Sequence, residues 1–228
     1  MFRIAKRVFG RVLTSNDFAY QCYEQYSFSR HRSMISAAAK EGKLRLHLGC
    51  GPRLLDGWIN SDAAINPAIV SAKLPRGLKR FDGASAQFIY TSHFLEHLEY
   101  PGEATEFVRE CYRTLRPGGV LRIVVPGIEK IIAAYVRDDK SFFEIQAAQH
   151  PDWCTTKLEH LMYALQQDGR HKYGYDFETM KKLLIMSGFT NIVQSDFNSS
   201  EFAELRVDYR GTRDNHGIHL SLFVDAIK

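Results

Sequence analysis

From Lys43 onward, short apolar runs alternate with stretches of helical periodicity. Residues 43–48 (KLRLHL), 86–92 (AQFIYTS) and 120–126 (VLRIVVP) read as strands, and residues 57–62 (GWINSD) approach another. Between the last two runs, Ala104, Phe107, Val108, Cys111, Tyr112 and Leu115 recur at helical spacing, and Arg116-Pro117-Gly118-Gly119 stops that helix. Residues 128–172 read as mainly helical and hold Phe142, Phe143, His150, Trp153, His160 and Tyr163. That stretch is too long for a simple crossover, and an insertion of this kind supplies a substrate wall. Residues 177–189 form an amphipathic helix with a glycine-terminated end, followed by strands at 191–197 and 219–227. Strands interleaved with helices predict an α/β doubly wound fold, a mostly parallel sheet covered on both faces.

Residues 1–42 have a different character. The first thirteen place Ile4, Ala5, Val8, Phe9 and Val12 on one helical face and Arg3, Lys6, Arg7 and Arg11 around the other. This short basic amphipathic helix is expected to pack on its own domain or on a second copy in a homodimer. Contact with an anionic membrane surface is the other reading. The aromatic stretch Phe18, Tyr20, Tyr23, Tyr26 and Phe28 then leads to Ala37–Ala39, as one or two helices ending before Gly42. The expected organisation is a helical extension over 1–42 and one domain over 43–228, with an insertion at about 128–172.

The 228 residues are 45% hydrophobic, enough apolar side chain for a real core, which excludes a disordered chain. No apolar run approaches the roughly 18 residues that span a bilayer, and no secretory leader is visible, so a cytoplasmic protein is expected. The four cysteines have no metal-ligand spacing and are expected to be reduced thiols. The net charge of +4 is unevenly placed, because residues 1–45 carry nine Lys or Arg against three Asp or Glu.

The residues that carry chemistry begin at Leu48-Gly49-Cys50-Gly51, where a strand runs into a glycine turn that lets a ligand approach the backbone. Asp62, at the end of the next strand, stands where a carboxylate accepts both hydroxyls of a ribose. An ordinary tight turn and a solvated carboxylate are the plain alternatives. With these two features, FIYTSHFLEHL (88–98) and LRPGGVLRIVVP (115–126) complete a set of four motifs. In that order they resemble the class I S-adenosylmethionine (SAM) dependent methyltransferases over about residues 43–228. The short link from Gly51 to Asp62 and the segment 172–189 are similar to a compact branch associated with polysaccharide and glycan biosynthesis.

The resemblance implies SAM as cofactor, held by Gly49, Cys50, Gly51, Asp62, Leu74, Thr91, Ser92 and His93. Two positions depart from the family pattern. His47 stands where many members have an acid that organises the methionine end. Residues 70–75 (VSAKLP) lack the acid that meets adenine, leaving backbone groups with Leu74 or Lys73 nearby. A dinucleotide oxidoreductase is disfavoured because GCGPRL lacks the third glycine of its fingerprint. His93-Phe94-Leu95-Glu96-His97 also fits H-x-x-E-H, but it begins directly off a strand, so no metal site is expected and Glu96 and His97 are assigned to fixing a helix start.

Methyl transfer needs alignment and exclusion of water, and a hydroxyl acceptor is helped by a general base. His93 and His171 are the candidate catalytic residues. Tyr173, Tyr175, His150, Asp152 and Trp153 are candidate acceptor contacts, and Arg206, Arg210 and Arg213 form a basic cluster suited to a phosphate or carboxylate. The expected function is methyl transfer to an oxygen of a sugar, glycan intermediate or other small molecule. The alternative is an inactive methyltransferase-like scaffold. Nucleic acid is not an expected partner, since positive charge alone does not specify one.

Overall fold

The computed structural model describes residues 17–214 and 216–228, so the basic helix expected at 1–13 lies outside the described residues. Seven strands form one sheet: β1 (Leu44–Leu48), β2 (Ile59–Asp62), β3 (Val70–Ser71), β4 (Ala86–Ser92), β5 (Leu115–Pro126), β6 (Asn191–Ser195) and β7 (Ser221–Ile227). Their order is β3-β2-β1-β4-β5-β7-β6, with β1 to β5 parallel and β7 antiparallel to both of its neighbours. The direction of winding reverses between β1 and β4, and the carboxyl ends of those strands open a crevice, where ligands bind in such sheets.

Among the described residues, six α-helices accompany the sheet: α1 (Asp17–Lys40), α2 (Gly102–Thr114), α3 (Ile128–Val136), α4 (Lys140–Ala147), α5 (Lys157–Gln166) and α6 (Phe177–Met186). α2 ends at Thr114, and the Pro-Gly-Gly run expected to follow the helix lies inside β5 as an irregular start to that strand. The register with β4 shifts between Ala86 and Phe88, and Gly118 has φ +73°. Pro117 has no N–H for a ladder, so a bulge is the position a strand tolerates it.

The sheet is covered on both faces, but differently. One face carries Leu46, Leu48, Ile89, Leu121 and Ile123 against Ile35 of α1, Phe107 of α2 and Leu183 of α6. On the other, Phe88, Tyr90, Val120, Val124 and Phe223 pack against Trp58, Phe197, Phe202, Leu205 and Tyr209, a cover to which no α-helix among the described residues contributes. The links 49–58 and 63–69 are shorter than the crossover helix a parallel pair ordinarily uses, so loop side chains close that face.

α1 is one continuous helix that guards the β3 edge. The Ser27 hydroxyl accepts the Ser71 N–H at 3.0 Å, and buried Glu24 accepts the Lys73 N–H at 2.8 Å and pairs with Arg80 at 3.2 Å. Side chains thus take up backbone groups that an edge strand would otherwise expose. No helix among the described residues is long and apolar enough to cross a membrane.

The insertion has a small core of its own, Ile131, Ala134, Phe142 and Phe143, packed with Leu161 and Leu220. Arg122 of β5 is fully buried on the loop-covered side. Its guanidinium donates to Asp208 at 3.0 and 2.5 Å, to Asp225 at 2.7 Å, to the Ser195 hydroxyl at 2.8 Å and to the Asp196 carbonyl at 3.0 Å.

Candidate active site

The turn after β1 is built from Gly49 and Gly51 at φ +65° and +53°. A Cβ on Gly49 would lie 2.4 Å from Cγ of Phe94, whose ring packs on Phe107 at 5.2 Å. Gly49→Ala therefore meets both a left-handed backbone, costing about 1–2 kcal/mol for an L-residue, and a displaced aromatic ring. We expect its melting temperature to fall by at least about 3 °C, at roughly 2–4 °C per kcal/mol for a chain of this size. An unchanged melting curve would show that the turn does not require glycine.

Gly51 faces open space, with nothing within 4 Å of the position a Cβ would take. Its N–H donates to Asp62 Oδ2 at 2.9 Å, and the Ala64 N–H donates to Asp62 Oδ1 at 3.2 Å. The carboxylate is thereby aimed across the mouth of the turn, with acceptor lone pairs left over for a ligand. Cys50 is a buried spacer whose N–H donates to the Ser61 carbonyl at 3.1 Å; burial pushes its thiol up to about 12. Lys73 pairs with Asp17 at 2.7 Å, while Leu74 packs against the main core.

His47 is enclosed between β2 and β4. Asn60 is oriented by its bonds to the Leu55 backbone, so its oxygen accepts and His47 Nδ1–H donates at 2.9 Å. Burial lowers the pKa of His47, which keeps the ring neutral and leaves Nε2 without a partner. The residue in the family's acidic position thus fastens β1 to β2.

Thr91 and Ser92 end β4, buried, with hydroxyls that have no hydrogen-bond partner. His93 follows at φ +52°, its N–H donating to the Val124 carbonyl at 2.8 Å. A left-handed backbone outside glycine persists only where the surroundings impose it, and such positions concentrate at functional sites. The His93 ring lies between the Ser221 hydroxyl, 3.2 Å from Nε2, and Glu96, 3.4 Å from Nδ1. It faces a cavity of about 220 Å³ whose wall also includes Glu96, His97, His150, His171 and Arg210.

Both candidate bases thus share one cavity. Burial lowers the pKa of His171, whose Nδ1–H donates to the Ala164 carbonyl at 2.9 Å. Glu96 and His97 do not fix the start of α2, whose N-terminus has no side-chain cap. They occupy a short 3-10 turn, where the Glu96 carbonyl accepts the N–H groups of Lys172 and Tyr173 and His97 Nδ1–H donates to the Arg170 carbonyl. Those bonds latch the end of the insertion onto the end of β4.

Among the candidate acceptor contacts, His150 reaches the cavity and burial pushes its pKa down to about 4. Trp153 is largely exposed and Asp152 is at the surface. Tyr173 stacks on Tyr100 at 4.1 Å, and Tyr175 is buried. The three arginines do not form a cluster: Arg206 donates to the Ser200 carbonyl, Arg213 to His219 Nε2, and Arg210 alone lines the cavity. Each of the first two is held by a local partner on its own stretch of chain. Ser221, which steadies His93 from 128 positions away, had no local signal in the sequence.

The sequence profile of a family described as a methyltransferase domain matches residues 10–123, half of the chain. The chain belongs to this methyltransferase family. Among solved structures, it is similar to a SAM dependent methyltransferase from Archaeoglobus fulgidus, 18% identical, with 90% of this chain and 94% of that chain covered at a TM-score of 0.53. A second, from Mesorhizobium loti, is 16% identical at a TM-score of 0.46, covering 81% of this chain and 90% of that one. No curated protein matches the chain. The methyltransferase takes SAM as its cofactor, and its residues fit that molecule. The turn at Gly51 opens to free space, the Asp62 carboxylate is fixed beside it, and the unpartnered Thr91 and Ser92 hydroxyls stand at the neighbouring strand end.

Proposed function

We infer that the methyltransferase acts on a hydroxyl oxygen of a sugar, a glycan intermediate or another small molecule. The observation that carries this reading is His93, held in a left-handed backbone at the end of β4 with its imidazole in the cavity. Bound SAM supplies a methyl group on a positively charged sulfur. Asp62 and the turn at Gly49 and Gly51 would hold its nucleoside end, leaving the cavity beside His93 for the acceptor. His93 would take up the proton of the acceptor hydroxyl as that oxygen receives the methyl group. The products are a methyl ether and S-adenosylhomocysteine. The remaining walls, drawn mainly from the insertion, position the acceptor and exclude water.

Calorimetric titration of the full chain with SAM and S-adenosylhomocysteine tests the cofactor half, with micromolar binding expected. Asp62→Ala should weaken that binding by about 1–3 kcal/mol through loss of charge-assisted hydrogen bonds. Unchanged affinity would remove Asp62 from the site. A screen of hydroxyl acceptors, beginning with sugars and glycan precursors, tests the other half. Turnover confined to amine or carbon acceptors would overturn it, and absence of cofactor binding at millimolar ligand would favour a scaffold.

A further inference from the structure

Glu96 presents a physical problem at the base of the cavity. It is 1% exposed, neither carboxylate oxygen accepts a hydrogen bond, and its one ionic contact is His93 Nδ1 at 3.4 Å from Oε1, leaving Oε2 with none. A buried carboxylate with a single long contact forfeits most of its hydration for little in return, and such a group calls for a further partner.

Besides His93, two further imidazoles stand near it. Nδ1 of His97 is bonded to the Arg170 carbonyl at 3.0 Å, and Nδ1 of His171 to the Ala164 carbonyl at 2.9 Å. A carbonyl only accepts, so each Nδ1 carries the proton and each neutral ring keeps its lone pair on Nε2. A backbone carbonyl on the other ring nitrogen is the usual support of a metal-binding histidine. One ligand atom from each of Glu96, His97 and His171 lies within 4.8 Å of the other two. Zinc bound to nitrogen at 2.0–2.1 Å in a tetrahedral site needs a separation of about 3.3 Å, so side-chain rotation closes the set. The backbone is already fastened, because Lys172 and Tyr173 donate to the carbonyl of Glu96 itself.

We propose that Glu96, His97 and His171 bind a divalent cation of the zinc class, with its open coordination positions facing the acceptor cavity. Two imidazoles and a carboxylate suit a borderline first-row ion better than magnesium or calcium, which favour all-oxygen sets. The ligands differ from those the H-x-x-E-H pattern would use. Leu95–His97 is a single 3-10 turn, so His93 and His97 do not stack along a helix, and His171 arrives from the far end of the insertion. An ion here would bind an acceptor through oxygen, which narrows the substrate class to molecules presenting a hydroxyl beside a second oxygen donor. That last step rests on the hydroxyl reading above, whereas the binding of the ion does not.

A second group of possible ligands, His150, Cys154 and His160, serves as the internal control. Its two histidines already satisfy one another, with their Nδ1 atoms 3.0 Å apart.

The test uses the full chain, treated with a chelator, desalted and titrated calorimetrically with zinc. One ion per chain is expected, with affinity lowered by about a hundredfold or more in Glu96→Gln and in His171→Ala, and unchanged in His160→Ala. S-adenosylhomocysteine binding, measured on the same samples without metal, reports that each variant is folded and separates failure of this site from failure of the cofactor reading. Cobalt(II) substitution of the unmutated chain gives an independent readout, since nitrogen and oxygen ligands produce no thiolate charge-transfer band. Absence of zinc binding, zinc affinity in the Glu96→Gln and His171→Ala variants unchanged from that of the unmutated chain, or a thiolate band pointing to Cys154 would each overturn the proposal.

Discussion

Arg122→Met is expected to lower the unfolding free energy by about 3–5 kcal/mol, the cost of leaving buried charge without its partner. All five guanidinium N–H donors are used, on two carboxylates, one hydroxyl and one carbonyl, and the side chain is fully buried. The partners raise the arginine pKa against the opposing effect of burial. Without the guanidinium, Asp208 and Asp225 remain enclosed on the loop-covered face, and Asp208 keeps only the Asn198 N–H at 2.8 Å. Thermal denaturation should show a drop of about 6–20 °C, at roughly 2–4 °C per kcal/mol. Arg122→Lys should recover little, because an ammonium group cannot reproduce a planar fork of five donors. A loss under about 1 kcal/mol in either variant would mean that the network relaxes or hydrates. The consequence reaches the site, because the bonds to Asp208 and Asp225 fix the segment leading to Arg210 and the strand that begins at Ser221, beside His93.

His93→Ala is expected to reduce kcat by about 10²–10⁴-fold, the usual contribution of a positioned general base. Affinity for S-adenosylhomocysteine should change by less than about threefold if the cavity that the ring lines takes the acceptor, as proposed. Alanine also releases a left-handed backbone, so the result needs a companion. His93→Asn keeps a residue that tolerates φ +52° while removing the base, and it should lose the same activity with less change in stability. Parallel loss of cofactor affinity and turnover in both variants would assign His93 to positioning. The measurement is steady-state kinetics with the hydroxyl acceptor found by screening, beside calorimetry on the same samples.

The parts legible in the sequence are those encoded locally. β1, β4 and β5 are buried on both faces and read as near-continuous apolar runs, and the glycine turn lies only eleven positions from the carboxylate that receives its N–H. β3 is two residues long, below any periodicity, and is recognisable only through its pairing with β2 and its bonds to α1. The loop cover over the second face was illegible because it depends on link lengths and on aromatic side chains from residues 197–209. Arg122 reads in the sequence as a polar interruption of a strand, since its partners lie 86 and 103 positions away. Glu96 and His97 were visible as a pattern, but their partners arrive from residue 170 onward through backbone bonds that composition cannot reveal.

The latch at Glu96 has an evolutionary consequence. Its two N–H donors come from the main chain of Lys172 and Tyr173, so those bonds survive side-chain substitution in residues 128–171. The insertion also carries an apolar cluster of its own. On the proposed function this wall of the cavity is a replaceable cassette: its inner surface can be rewritten for a new substrate while the glycine turn, Asp62 and the strand ends stay as they are.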